Sequence, residues 1–358
     1  MNEKTDKKQL NFMICRPDCD IPVYMPVETV QRNGMVSFGE DNQFSQHLYE
    51  HYSDCSLLQS LCNGTAQYVA GSGFADEEQT NRKVNKRETL WQLLQKIALD
   101  YEVFGAFALQ VRRNTFGDVV ALDYVDVAKV RLDEDESKVY VSATWQKYTK
   151  DVKTYELYSG DRKQNNSIYY FKNPMSKGAY GLPCWSSALK EAMTLTEISQ
   201  FHLSSIQNGL ASSFILNFNN GTPTDEEQSQ IEEKIQEKFG GSRNAGRYML
   251  SFNESKENGV DIQAIPQDNF DSKYMNLKET SQESLMTAFR APAQLFGVSS
   301  QSTGFSSIEY KNAFKLYNKT VVEPIQRMFE QVFDELGFEV EILPFEIEFD
   351  ENNPDETI

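Results

Sequence analysis

The chain has 358 residues, 39% hydrophobic and 12% aromatic, so it can bury a core and is not a disordered composition. Its 53 acidic and 35 basic residues give a net charge of −18; this argues against tight gripping of a phosphate backbone, which needs clustered Lys and Arg, but not against letting nucleic acid pass. Five cysteines with no CxxC pair indicate neither a disulfide framework nor a zinc ribbon and suit a reducing cytoplasm, and no apolar run approaches the roughly 20 residues of a membrane span.

The N-terminal ten residues, MNEKTDKKQL, lack the apolar centre of a signal peptide. Residues 1–40 are polar and carry Pro17, Pro22 and Pro26, and are expected to form an extended arm. A helix is expected from Gln43 to about Leu61. It would place His47, His51 and Cys55 at i, i+4 and i+8 on one side. That spacing suits a metal ion, with Cys15 or Cys19 as a further ligand. An amphipathic helix with ordinary histidines is the simpler account, and no metal or other cofactor is expected. Leu90, Leu93, Leu94, Ile97 and Tyr101 mark a second helix, from Asn85 to about Phe104, which Gly105 ends.

Short runs rich in Val, Tyr and Phe then predict strands at 106–112, 119–125, 127–132, 139–146 and 168–171. Turns are expected at 114–118 and 133–137. The fold class is therefore α+β, with an antiparallel sheet. After a Gly/Pro-punctuated crossing at 174–183, Ala188, Ala192, Leu195, Ile198 and Ile206 mark a helix over about 186–208. A second helix over about 268–290 has nearly the same length, and the two suggest an antiparallel pair. On the second, Phe270, Tyr274, Leu277, Ser281, Leu285 and Ala288 share one face, and Asp268, Ser272, Asn276, Glu279 and Glu283 the opposite one.

Between these helices, 211–266 reads as a small β-α-β-β unit. It has strands at 214–218, 248–252 and 260–265, and a helix starting at a Thr224/Glu227 capping box. After the second long helix, Ala291-Pro292 ends the periodicity. A loop of small polar residues follows: Ser299, Ser300, Gln301, Ser302, Thr303 and Gly304. The chain re-enters helix at Ser306, spaced from Glu309 as in a capping box. That helix runs to Leu336 through Pro324, where a kink is expected. Alternating residues at 338–342 and 344–350 predict two half-buried strands, ahead of a loose acidic tail.

No recognisable catalytic constellation emerges. There is no GxxxxGK[ST], HExxH or GxSxG, and the glycine-rich run 240–246 follows a helix and precedes a strand, the wrong order for a phosphate cradle. With 53 acids a carboxylate pair by chance is unremarkable, so no enzyme is expected. The polar face at 268–283 is either an ordinary solvated face or the lining of a water-filled channel, where Glu279 and Glu283 would repel DNA phosphates.

Several runs, taken in order, resemble the portal proteins of tailed bacteriophages in their smaller form. They are the segment from Gly105 to Val111, that from Gly117 to Arg131, Ile168–Lys172 followed by Tyr180–Leu189, and Phe201–Gly209 followed by Ser212–Leu216. Most specific is Arg290-Ala-Pro-Ala-Gln-Leu-Phe-Gly-Val-Ser-Ser300, with Ser306–Tyr310 and Val322–Gln326 after it.

The resemblance implies an extended arm (1–40), an α+β wing (41–185), stem helices (186–210 and 267–292), a clip (211–266), a tunnel loop (293–305), a long kinked wing helix (306–337) and C-terminal strands with an acidic tail (338–358). A helical crown would be absent or minimal. It also implies a ring, typically of twelve copies, at one capsid vertex of the virion, assembled in the host cytoplasm. Double-stranded DNA would pass through the axis. The partners would be the terminase large subunit, head–tail adaptors and the major capsid protein, with no membrane. By the same resemblance Ser299–Gly304 would face DNA, and Arg290 would add a local positive band. Two other readings stand beside this one: a capsid or connector component without a DNA channel, and an acidic hydrolase using a carboxylate pair.

Overall fold

The computed structural model describes residues 26–145, 151–207, 214–218, 248–252, 270–297 and 307–346. The first of these do not continue an extended arm. Strands β1 (Glu28–Val30) and β2 (Val36–Phe38) form an antiparallel hairpin that turns at Gly34, whose φ is +84°. All three residues of β2 are buried. Here a tertiary partner overrides a polar sequence: the Tyr180 ring stacks on Phe38 at 4.4 Å, and its hydroxyl donates to Val36 O at 2.5 Å.

The helix expected over 43–61 is two helices, α1 (Phe44–Asp54) and α2 (Ser56–Ala70). Cys55 between them is extended (φ −100°, ψ 106°) and buried. After β3 (Gly73–Phe74) and the single turn α3 (Glu77–Asn81) comes α4 (Leu90–Phe104). It starts at a Thr89/Gln92 capping box, not at Asn85. Asn85 instead folds the preceding turn: its Oδ1 accepts from Arg87 N at 2.8 Å and Glu88 N at 2.9 Å. Gly105 ends α4 in the left-handed region (φ +68°), and a Cβ there would run into the Leu182 carbonyl.

Strands β4 (Ala106–Arg113), β5 (Val119–Val125), β6 (Val130–Leu132), β7 (Lys138–Val141), β8 (Lys153–Leu157) and β9 (Asn166–Lys172) form one sheet in the order β5-β4-β9-β8-β7-β6. The expected strand at 127–132 begins with a 3₁₀ turn, Val127–Lys129, because the Asp126 carboxylate accepts from Ala128 N at 3.1 Å. The sheet is mixed rather than antiparallel, since β8 pairs parallel with β9. β4 is interior to the sheet, and Ala106, Phe107, Ala108 and Leu109 are all buried, as a strand covered on both faces requires.

A 3₁₀ turn (Cys184–Ala188) leads into α5 (Leu189–Gln207); buried Trp185 fixes the entry by donating to Glu102 O at 3.0 Å. Within 211–266 the described residues are β10 (Phe214–Phe218) and β11 (Tyr248–Phe252), paired in parallel. The expected helix at Thr224 and strand at 260–265 lie outside the described residues. Then come α6 (Phe270–Phe289), a 3₁₀ turn (Ala293–Phe296) and α7 (Ser307–Tyr317). A π-helical turn (Asn318–Val322) and α8 (Glu323–Glu335) follow. Ser306 and its capping box fall outside the described residues.

Residues 347–350 of the second expected strand, 344–350, lie outside the described residues; of the first, 338–342, only Ile342 pairs, in the short strand β12 (Ile342–Leu343). The reason is its partner: β3 offers only Phe74 and Gly73 for pairing. The core joins both halves of the chain. Phe107 of β4 stacks on Phe171 of β9 at 5.1 Å and on Phe329 of α8 at 5.2 Å.

Candidate functional site

Helices α5 and α6 run antiparallel. Phe201, near the end of α5, stacks on Tyr274, near the start of α6, with ring centroids 5.0 Å apart and planes at 26°. At the body end, Ala188, Ala192 and Ile198 are buried, as are Ser281, Leu285, Met286 and Phe289 of α6. Farther out the body no longer covers the helix, and residues 275–280 are all exposed.

At about 100° per residue, Asn276 and Glu283 fall roughly opposite Leu285, and Glu279 lies about 120° round from it. All three are exposed and share the face turned away from the packed one. Ser272 lies in α6, but its side chain is outside the described residues, as is all of Asp268. Leu277 departs from the expected packed face and is 46% exposed. It sits about 80° from Leu285, on the helix flank, at a level the body does not reach.

Ser299–Gly304 lie outside the described residues, but the anchors on either side do not. The turn after α6 places Arg290 in the left-handed region (φ 51°), with Ala291 N donating to Met286 O at 2.9 Å. Arg290 is exposed there. The 3₁₀ turn then seats Phe296 against Gly64 of α2; a Cβ at Gly64 would come within 2.7 Å of the ring. Tyr68 of α2 meets Phe296 at 6.1 Å, Phe314 at 6.0 Å and Tyr317 at 5.7 Å. Thr65 and Tyr317 share a hydroxyl hydrogen bond of 2.8 Å. Both chain ends bordering the loop are therefore fixed to one helix. An open cavity of about 450 Å³ beside them is walled by Tyr68, Leu295, Phe296 and Phe345.

Pro324 occupies the first turn of α8, directly after the π turn. A proline ring crowds the carbonyl four residues back, here Thr320, and the wider π turn gives that carbonyl room. A π bulge is also a recognised cause of helix bending.

The set His47, His51 and Cys55 does not assemble. Cys55 leaves the helix at the α1/α2 break, and His47 is held by Asp41 Oδ2 at 2.9 Å and Glu50 Oε2 at 3.1 Å. Burial, then the neighbouring His47, pull the His51 pKa down. Among the described residues no group of three or more His, Cys, Asp or Glu side chains could hold a metal, and no helix is long and apolar enough to cross a membrane.

Three buried ionisable groups were not visible in the sequence. Asp100 and Glu102, in the last turns of α4, are 7% and 3% exposed, and each has an oxygen without a hydrogen-bond partner among the described residues. Burial pushes Glu102 up to about 8. It also raises Asp100 well above the carboxylate range, against the 3.0 Å hydrogen bond from the Tyr124 hydroxyl. Arg131 is fully buried, and its fork donates to neutral oxygens: Asn42 Oδ1 at 2.7 Å, Asn42 O at 2.6 Å, Val130 O at 2.7 Å, Ala128 O at 3.1 Å and Gln46 Oε1 at 3.4 Å. Burial pulls it down to about 10, leaving it charged at neutral pH. Arg131 ties the loop at Asn42 to the sheet. Polar residues at even spacing in a helix or strand carry no mark of such burial, so only the contacts reveal it.

The family model described as Phage portal protein matches residues 78–356. The chain is 25% identical over 247 residues to the probable portal protein of Haemophilus phage HP1, covering 68% of each chain. Two solved structures share the fold. One is a chain from the neck of a native gene transfer agent particle computed with C12 symmetry, at 16% identity and TM-score 0.51, covering 80% of this chain and 78% of that one. The other is an HK97 family phage portal protein from Corynebacterium diphtheriae, at 12% identity and TM-score 0.50, covering 80% and 88%. With the family match spanning well over half of its length, the chain belongs to the phage portal protein family.

Proposed function

We propose that this chain is the subunit of a ring of twelve copies at a single capsid vertex, a non-catalytic conduit through which double-stranded DNA is packaged and later ejected. The observation that carries the reading is the exposed polar face of α6, bearing Asn276, Glu279 and Glu283, on a helix pair whose outer half stands clear of the body. Copies of such a helix around an axis would line a hole with carboxylates. These repel phosphates, and DNA would slide without the counterion-release attraction that holds it on basic surfaces. The occurrence of this fold in a neck computed with C12 symmetry supports the count of twelve.

On this reading α5 and α6 are the stem, residues 41–185 the wing, 211–266 the clip, 293–305 the tunnel loop and 306–337 the long wing helix. The terminase large subunit docks during packaging and head–tail adaptors dock afterwards, while the major capsid protein surrounds the ring. The protein assembles in the host cytoplasm and resides in the virion. Electron microscopy of the purified protein is the direct test. Rings with a central hole about one DNA duplex wide are expected, and a monodisperse monomer at high concentration would sink the reading. Deleting Ser299 to Thr303 is expected to leave rings intact and to impair packaging or retention of DNA; loss of assembly would make that loop structural instead.

A further inference from the structure

We propose that the outer half of α6 carries two unlike subunit contacts on opposite flanks, and that the Met275 flank of one copy packs against the Leu277 flank of the next. The proposal rests on the ring reading and specifies which surfaces close it. Met275 is 55% exposed and Leu277 46%. A single exposed apolar side chain is ordinary. These two, however, lie about 80° to either side of the packed face, with the polar face of Asn276 and Glu283 between them on the far side. A helix lying on a body with water around the rest of it has no use for apolar groups on both flanks. A helix standing between two neighbours has.

The two flanks differ in kind. Beside Leu277 lie Thr280 and Ser284, whose hydroxyls already donate to carbonyls of their own helix, Asn276 O and Thr280 O, both at 2.9 Å. Excluding water from this flank therefore strands neither hydroxyl proton, and the small side chains let another helix come close. The other flank presents a long, unbranched thioether, which fills irregular gaps well, with exposed Glu279 about 40° beyond it toward the polar face. A small-residue recess on one side and an adaptable projection on the other are complementary, and a single chain supplies both. The occupant is thus a second copy of this chain.

Unlike patches on opposite sides give a head-to-tail contact that repeats from copy to copy and closes into a ring; a two-fold dimer would use one patch twice. In this arrangement Asn276 and Glu283 are left facing neither neighbour, and Glu279 borders the Met275 contact on its lumen side. The strip available to the lumen is thereby fixed by the two contacts.

The test is disulfide trapping in the full chain with Cys15, Cys19 and Cys184 replaced by Ser. The double variant Met275→Cys/Leu277→Cys, oxidised and run under denaturing conditions, is expected to give a ladder extending beyond the trimer. Either single cysteine variant is expected to give no dimer above background. A strong dimer from a single variant would overturn the proposal in favour of a two-fold contact. Rings visible by microscopy without a ladder would overturn it while leaving the ring reading standing. Absence of any oligomer in the parent would end both. As a second measurement, Leu277→Asp, checked for native circular dichroism, is expected to weaken association at least about tenfold. Unchanged association would count against the contact.

Discussion

Replacing Glu102 with Gln should flatten much of the pH dependence of stability. The parent carboxyl is sealed at the end of α4, where helix carbonyls already disfavour an anion. Its pKa moves from an ordinary 4.5 to about 8, with burial as the cause. Between those values the folded chain holds a proton that the unfolded chain has released, so stability falls as pH rises through the window. The penalty from this one group is about 1 kcal/mol at pH 5, about 3 kcal/mol at pH 7 and nearly 5 kcal/mol at pH 9. Gln keeps the shape and does not titrate. Denaturant unfolding of parent and variant at equal protein concentration, at pH 5 and pH 9, gives the double difference. The variant should be nearly as stable as the parent at pH 5 and should gain about 4 kcal/mol relative to it at pH 9. Parallel pH profiles would refute the assignment, and would mean that water or a cation reaches the carboxyl.

Arg131→Lys should cost about 3 kcal/mol or more, because an ammonium cannot reproduce a planar fork bonded to five oxygens; equilibrium unfolding would measure it. Gly64→Leu should displace Phe296 from its seat on α2 and cost about 1–3 kcal/mol, with faster amide exchange around residues 293–297 as the readout. Thr89→Ala removes the acceptor for Gln92 N and should cost about 1 kcal/mol, visible as a lower unfolding midpoint.

Where periodicity is strong and the partner is local, the sequence was readable. The spacing of Leu93, Leu94, Ile97 and Tyr101 defines α4, and that of Ala188, Ala192 and Ile198 marks the packed side of α5. Where distant contacts decide, it was not. Nothing in Gln43–Leu61 marks the break at Cys55, because α1 and α2 each keep a helical pattern and only the extended backbone at one residue separates them. Strand β8 reads Lys-Thr-Tyr-Glu-Leu, with little of a strand's usual character; β7 and β9 on either side hold it in place. On α6 the polar face of Asn276, Glu279 and Glu283 was legible, but the exposure of Leu277 was not. Helical spacing gives direction around an axis, whereas burial also depends on how far along that axis the rest of the molecule reaches. Asp100 and Glu102 show the same limit in reverse, since acids so placed would ordinarily be taken as solvated.

The widened turn at Asn318–Val322 makes chain length here more consequential than side-chain identity. Such a turn holds about one residue more than a regular α turn over the same stretch. Removing any single residue from it would let the backbone heal into continuous α-helix, at the cost of rotating everything upstream by about 100° relative to α8. Phe314 and Tyr317 would swing off Tyr68 while Phe329 stayed in the core. The surplus residue thus acts as a phase adjuster, setting the angle at which one half of a long rod meets the other.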